Sequence, residues 1–284
     1  MIHSKTTLHK EEYIEIIDNH YVNIDKWKNL NDSDQHLLIC NYFNKRRKGL
    51  VFTGESNCAI SGIPRFDKFG NRPHCTTRVR RSTDIICWRN NRIEPETYSA
   101  NNFTITSPIH TVCDLAQFDS EHSLLASINH CLFQKLFTKE QILSKIDAGI
   151  IVHGKSKIKK VLTVANDKCE SPLETLAWIA INNAGFLLPK QQVDLYDTDG
   201  FIGRVDMLWQ ISNRKIVLEL DGMMKYKDIK DLHNEKIRED RLRRLKYEVI
   251  RATWKSVKNK DSGLIRLLED AHIPKRKYFK RSMI

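Results

Sequence analysis

The residues best suited to chemistry lie in one short stretch. Gly203-Arg204-Val205-Asp206-Met207-Leu208-Trp209 is followed, after Gln210-Ile211-Ser212-Asn213-Arg214, by Lys215-Ile216-Val217-Leu218-Glu219-Leu220-Asp221-Gly222. Two apolar, partly β-branched runs bounded by turn residues predict the two strands of a hairpin. Alternation along a strand sends Leu218 and Leu220 to one face and Glu219 and Asp221 to the other. Asp206, on the neighbouring strand, can reach the same acidic face. Carboxylates at the ends of buried strands are costly unless something cationic holds them. Two solutions are open. Hard oxygen ligands suit Mg²⁺ or Mn²⁺, with Asp206 and Glu219 as the ligand pair. The alternative is that these acids cap the strands and pair with nearby Lys and Arg, as structural ion pairs commonly do.

The elements that must position them can be read on either side. Ser171-Pro172-Leu173-Glu174 opens a helix, with Ser as N-cap, Pro in the first turn and Glu three residues after the cap. Leu176, Ala177, Ile179 and Ala180 lie inside it and Gly185 ends it. Glu174 is therefore either the glutamate of a capping box or a third acid of the site. Strands are expected at about 191–196, 202–209 and 216–220, with Asp197-Thr198-Asp199-Gly200 as a turn. A charged helix over about 230–245, a strand over 248–252 and a last helix with Leu264, Leu267 and Leu268 follow. Three strands can form a meander, and the strand after the helix can join by a crossover. The charged helix carries Lys236, Arg238, Arg241, Arg243 and Arg244, and Lys246, Arg251, Lys255 and Lys258 extend the positive run. It reads as a solvated face or as a groove that tracks phosphates. Trp209 and Trp254 read as core or rim aromatics.

The first half is expected to be α+β. Tyr13, Ile14, Ile16 and Ile17 suggest a first helix, and a second is expected from about Ser33 to Lys48. Lys45-Arg46-Arg47-Lys48 suits a helix C-terminus. Leu50 to Thr53 reads as a strand, followed by small residues to Gly62, and residues 64–110 read as a small sheet with hairpins. Arg78, Arg80 and Arg81 beside a strand can meet phosphate or face water. Three helices follow, the third opened by the capping box Thr138-Lys139-Glu140-Gln141. His110 and His130 lie beside apolar stripes and read as core residues. The basic run from His153 to Lys160 reads as linker-like, and the domains are taken as residues 1–165 and 166–284.

Composition sets the class of partner. The 284 residues can bury a real core. Forty-seven Lys and Arg against 35 Asp and Glu give a net charge of +12, which points to nucleic acid, or less often to an anionic membrane surface. No apolar run is long enough to span a bilayer, and Met1 to Lys10 lacks the apolar core of a signal peptide. Seven scattered cysteines without a C-x-x-C pair fit reduced thiols in a cytoplasm.

The α-β-β-β-α-β order with Glu174, Asp206 and Glu219 resembles the PD-(D/E)XK nuclease superfamily. The wording of Ser171–Glu174, Gly203–Asp206, Glu219–Gly222 with Lys225-Tyr226, and Glu235–Leu242 resembles a bacterial branch related to very-short-patch-repair endonucleases, often described as AbiEi-family or type IV toxin–antitoxin-like. The resemblance covers residues 171 to about 255. Thr106-Ser107-Pro108 to Ala116 is similar to the same group, while residues 1–50 show no clear winged helix. The resemblance implies an α/β nuclease fold, Mg²⁺ or Mn²⁺, and a DNA endonuclease of phage defence or a mobile element. It also implies Glu174, Asp206, Glu219, Asp221 and Lys225 as catalytic residues, with Lys236, Arg238, Arg241 and Arg244 on DNA. The superfamily places Lys two residues after the second acid. Here that position is Asp221, so the cation must come from elsewhere: Lys225, or Lys236 or Arg241 from the following helix. The competing readings are a catalytically weak or inactive nuclease-like, DNA-binding, antitoxin-like regulator, and a chain whose basic surface meets an acidic protein; a protein partner or a homodimer is open in each case.

Overall fold

A computed structural model of the chain describes residues 2–4, 12–17, 19–77, 85–90, 95–151, 153–221, 229–258 and 263–277. The fold is α/β and divides into two compact units, Met1–Asn166 and Asp167–Ile284. Lys225 and the arginines at 78, 80 and 81 lie outside the described residues.

The first unit begins with a three-stranded antiparallel sheet of β1 (Ile2–Ser4), β2 (Tyr13–Ile17) and β3 (His20–Asn23), in the order β1-β3-β2. The helix expected at Tyr13 to Ile17 is thus a strand. Its apolar residues fit either period over so short a run. The β-branched Ile14, Ile16 and Ile17 favour the extended form, and Asn19, in the left-handed region at φ 56°, turns the chain into the pairing strand. Two helices follow, α1 (Ile24–Lys28) and α2 (Asp32–Arg46), the latter capped by the Asn31 side chain.

The five-stranded sheet comprises β4 (Val51–Phe52), β5 (His74–Thr77), β6 (Cys87–Asn90), β7 (Thr97–Ala100) and β8 (Phe103–Thr106), in the order β6-β5-β4-β8-β7. It is not built of hairpins alone, because β4 pairs parallel with β8 and β5 parallel with β6. Between β4 and β5 the small-residue run forms α3 (Gly54–Ser61), closed by Gly62 in the left-handed region. Helices α4 (Pro108–Leu115), α5 (Glu121–Phe133) and α6 (Lys139–Asp147) follow, α6 with its capping box complete. The basic run read as a linker is largely a helix, α7 (Lys155–Leu162). Ile158, Val161 and Leu162 bury one face at helical spacing while the lysines take the other.

The second unit contains α8 (Pro172–Asn183), β9 (Lys190–Asp197), β10 (Gly200–Ile211), β11 (Arg214–Asp221), α9 (Ile229–Arg244), β12 (Tyr247–Thr253), α10 (Trp254–Lys258) and α11 (Leu264–Asp270). The sheet order is β12-β11-β10-β9. Strands β9, β10 and β11 form an antiparallel meander, and β12 returns through α9 to pair parallel with β11. Both faces are covered. Leu173, Ala177 and Ile181 of α8 and Leu264 and Leu268 of α11 pack on Met207, Trp209, Ile216, Leu218 and Leu220. On the other face Leu242 of α9 packs with Leu195, Ile202, Val205, Leu208 and Val217. Trp209, only 1% exposed, is core, and its indole N–H donates to the Leu187 carbonyl at 2.7 Å.

Candidate functional site

The alternation of β11 builds the site. Leu218 and Leu220 enter the α8 side of the core, so Glu219 and Asp221 turn toward α9. Met207 pairs with Leu218 in the β10–β11 ladder. The ladder ends at that pair, and beyond it Asp206 meets β11 through its side chain. The side chain of Asp206 is fixed by the Leu220 backbone N–H, which donates to Oδ2 at 2.8 Å.

Glu219 is 4% exposed, and a buried carboxylate requires a cation. Arg238 supplies it from α9, its Nη2 donating to Glu219 Oε1 at 2.5 Å. The same guanidinium reaches the Arg204 carbonyl at 3.2 Å and Glu235 at 3.3 Å. Gly203 makes room for it. A Cβ at that position would lie 2.8 Å from Arg238 Nε, and Gly203 has φ +155°.

Glu174, 5% exposed, comes from the first turn of α8. Its N–H donates to Ser171 Oγ at 3.2 Å, as the sequence predicts. Its Oε2 accepts from the Glu170 N–H at 2.9 Å and from Gln192 Nε2 at 2.8 Å. Burial lifts its carboxyl above the usual carboxylate range, and the negative charge of Asp206 adds to the lift. Glu174 thus performs its capping duty and lies within electrostatic reach of Asp206.

Asp221 meets a cation rather than replacing one. Arg251 of β12, in register with Glu219, brings its Nε to 3.9 Å from Asp221 Oδ2. Its Nη2 also pairs with Glu235 at 2.9 Å and Glu239 at 2.5 Å. Arg238 and Arg251 together form a charge lattice with Glu219, Asp221, Glu235 and Glu239. Arg251 figures in the sequence only as part of a positive run. The parallel register that sets it beside Glu219 depends on the crossover, which local spacing does not show.

The four cations expected on DNA divide into two pairs. Arg238 is committed to Glu219 and Glu235. Arg241 holds Asp197 through Nε at 2.8 Å and Nη2 at 2.5 Å, and bonds the Gly200 and Phe201 carbonyls at 3.0 Å each. That contact holds the Asp197 carboxyl down to about 2. Lys236 and Arg244 are exposed.

The first unit holds a second buried polar cluster, built largely of internal ion pairs and hydrogen bonds. Arg65 bridges Glu55 at 3.1 Å and Asp119 at 2.7 Å. His74 contacts Glu55 through Nε2 at 3.1 Å while Arg89 approaches its Nδ1 at 3.2 Å. His36 donates from Nδ1 to the Gly70 carbonyl at 2.6 Å and accepts at Nε2 from Ser56 Oγ at 2.8 Å. Thr53 donates to Asp114, and Asn57 donates to Thr111 at 2.6 Å. Burial pushes His36 down to about 4, and burial with Arg89 pushes His74 down to about 2, so both rings are neutral. Ser56 and His36 are at most 1% exposed, which closes the pair to any substrate and makes the cluster a polar core.

Among the described residues no three His, Cys, Asp or Glu side chains group to hold a metal ion, and no helix is long and apolar enough to cross a membrane. Comparison of the chain with protein-family models, with curated proteins and with solved structures finds no match.

Proposed function

We propose that the second unit is a metal-dependent endonuclease that hydrolyses phosphodiester bonds of DNA, of the PD-(D/E)XK kind that its sequence resembles. The observation that carries this reading is that Asp206 and Glu219, from adjacent strands, meet at one end of β11: Asp206 accepts from the Leu220 N–H, next to Glu219, whose carboxylate meets the Arg238 guanidinium. The donor set suits Mg²⁺ or Mn²⁺. Magnesium keeps several waters and commonly takes only one or two carboxylates from the protein. Asp206 and Glu219 would hold the ion, which would polarise a phosphoryl oxygen and acidify a bound water.

The chain's own residues do the rest. The Leu220 N–H orients Asp206, and Arg238 orients Glu219. Arg238 also supports the cationic role that the superfamily gives to lysine. It reaches Glu219 from α9, whereas position 221 carries a carboxylate. Lys225 keeps a proposed role as a phosphate-facing cation. Glu174, within electrostatic reach of Asp206, is proposed as the third acid of the site. Lys236 and Arg244, exposed on α9, are proposed to meet the DNA backbone.

One observation favours a second reading, DNA binding without cleavage. Glu219 already has an internal cation in Arg238, and Asp221 stands where the lysine would be. The two readings separate in a cleavage assay on plasmid and oligonucleotide DNA with Mg²⁺ or Mn²⁺. Metal-dependent cutting is expected, reduced at least about a hundredfold in Asp206→Ala and in Glu219→Ala. Intact DNA across a broad panel, with binding unchanged in all three proteins, would establish the binding module instead.

A further inference from the structure

Two aromatic side chains in the second unit lie where folding gives them nothing to do. Tyr196 is 63% exposed and Phe201 55%. They face each other across the end of the β9–β10 hairpin as a register pair, ring centroids 5.4 Å apart and planes inclined by 59°. More than half of each side chain stays in water, so folding gains only part of the burial that two aromatics can supply.

The backbone under them is held firmly. Arg241 grips Asp197, the residue after Tyr196, and bonds the carbonyls of Gly200 and Phe201. One guanidinium therefore clamps the chain beside both rings. A rigid, exposed aromatic pair is preorganised for a ligand, because little conformational freedom remains to be lost on binding.

We propose that the tip of the β9–β10 hairpin is a nucleobase-contacting wedge, in which Tyr196 and Phe201 stack on bases of the DNA that the neighbouring acids act on. This rests on the nuclease reading above and adds how the strand is gripped. Three features favour nucleobases as the occupant. Two of the three local acids are held in ion pairs, Asp197 by Arg241 and Asp194 by Arg204 at 2.7 Å, and the third, Asp199, is exposed in the turn. Arg244, exposed on the next turn of α9, also acts on Asp197 and stands ready for phosphate. The hairpin tip and Glu219 are fastened to one helix a turn apart, at Arg241 and at Arg238, which sets the tip beside the proposed site. A protein partner fits less well, since a stable interface needs about 800 Å² from each side and two rings supply a small part of that. Stacking on aromatic side chains is also indifferent to sequence, as every base has a π-face.

The test is the affinity of the full chain for single-stranded and duplex 20-nucleotide DNA, measured by anisotropy over a range of salt without divalent ions. The variants are the double change Tyr196→Leu with Phe201→Leu, the swap Tyr196→Phe with Phe201→Tyr, and Arg244→Ala. The leucine pair is expected to lose about tenfold in affinity with an unchanged salt slope, because stacking releases no counterions. The aromatic swap should bind as wild type, and Arg244→Ala should flatten the slope. Leucine variants that bind as tightly as wild type overturn the wedge, and leave the nuclease reading standing if Asp206-dependent cleavage persists. Loss of self-association in the leucine pair, with affinity for DNA unchanged, also overturns it and assigns the rings to a second copy. A wild-type chain that binds no DNA at any salt overturns both readings.

Discussion

At the scale of single residues, the chain solves the same problem twice, burying charge by answering it. In the second unit Arg238 answers Glu219. In the first, Arg65 answers Glu55 and Asp119. The acids were legible from alternation alone, because a period of two leaves no choice about which face Glu219 takes. Their cation was not. Arg238 reads as one of several basic residues on a charged helix, and only packing shows that it points at the sheet. His36 carries a consequence for pH. Burial lowers its folded pKa from 6.5 to about 4. The unfolded chain therefore binds the proton more readily, and stability that is complete above about 6.5 is lost as pH falls toward 4. The loss attributable to His36 approaches about 3 kcal/mol, and His74, lowered further, acts in the same direction. Urea denaturation at pH 7 and at pH 4.5 should show this fall. His36→Gln, whose amide does not take up a proton, should flatten it while lowering stability at pH 7.

Among elements, the β9–β10–β11 meander and α8 were the most readable, since the apolar alternation of the strands and the Ser171 cap of the helix agree with the fold. The sequence failed where the run was short or the packing remote. Tyr13 to Ile17 is too short for its period to be decided, and the helix of Lys155–Leu162 hides three buried residues among lysines. The parallel pairs β4–β8 and β5–β6 join segments that no local turn connects. Within the meander, β10 depends on Gly203. Gly203→Ala would put a methyl group 2.8 Å from Arg238 Nε in a backbone conformation that side chains rarely adopt. It is expected to cost about 1–3 kcal/mol. Gly200→Ala, also at positive φ but with open space around it, isolates the backbone part of that cost. A larger loss for Gly203→Ala in chemical denaturation would assign the difference to the displaced guanidinium. Equal losses would show that Arg238 moves aside freely.

At the scale of the whole molecule, the net charge of +12 sets the expectation for partners more than any motif does. Much of the positive charge near the acids is spent internally, on Glu219, Asp221, Asp197 and Asp194, which composition could not reveal. Binding to DNA should weaken steeply with salt. Replacing both Lys236 and Arg244 by Ala should lower the slope of log affinity against log salt by about 2, at roughly 0.9 for each phosphate left without its cation. An unchanged slope would place the DNA on another surface. One consequence of the β10–β11 ladder concerns which changes of length the chain can tolerate. The turn between these strands is only Ser212 and Asn213, with Ile211 paired to Arg214. Side-chain direction along each strand is a matter of parity. One residue inserted between the turn and Glu219 would exchange odd positions for even along β11, driving a carboxylate into the apolar layer and a leucine out of it. Two inserted residues would restore the parity, and lengthening at the turn itself would leave it untouched. Drift in length is therefore confined to the loop, and the acids and the hydrophobic core stand or fall by the same count.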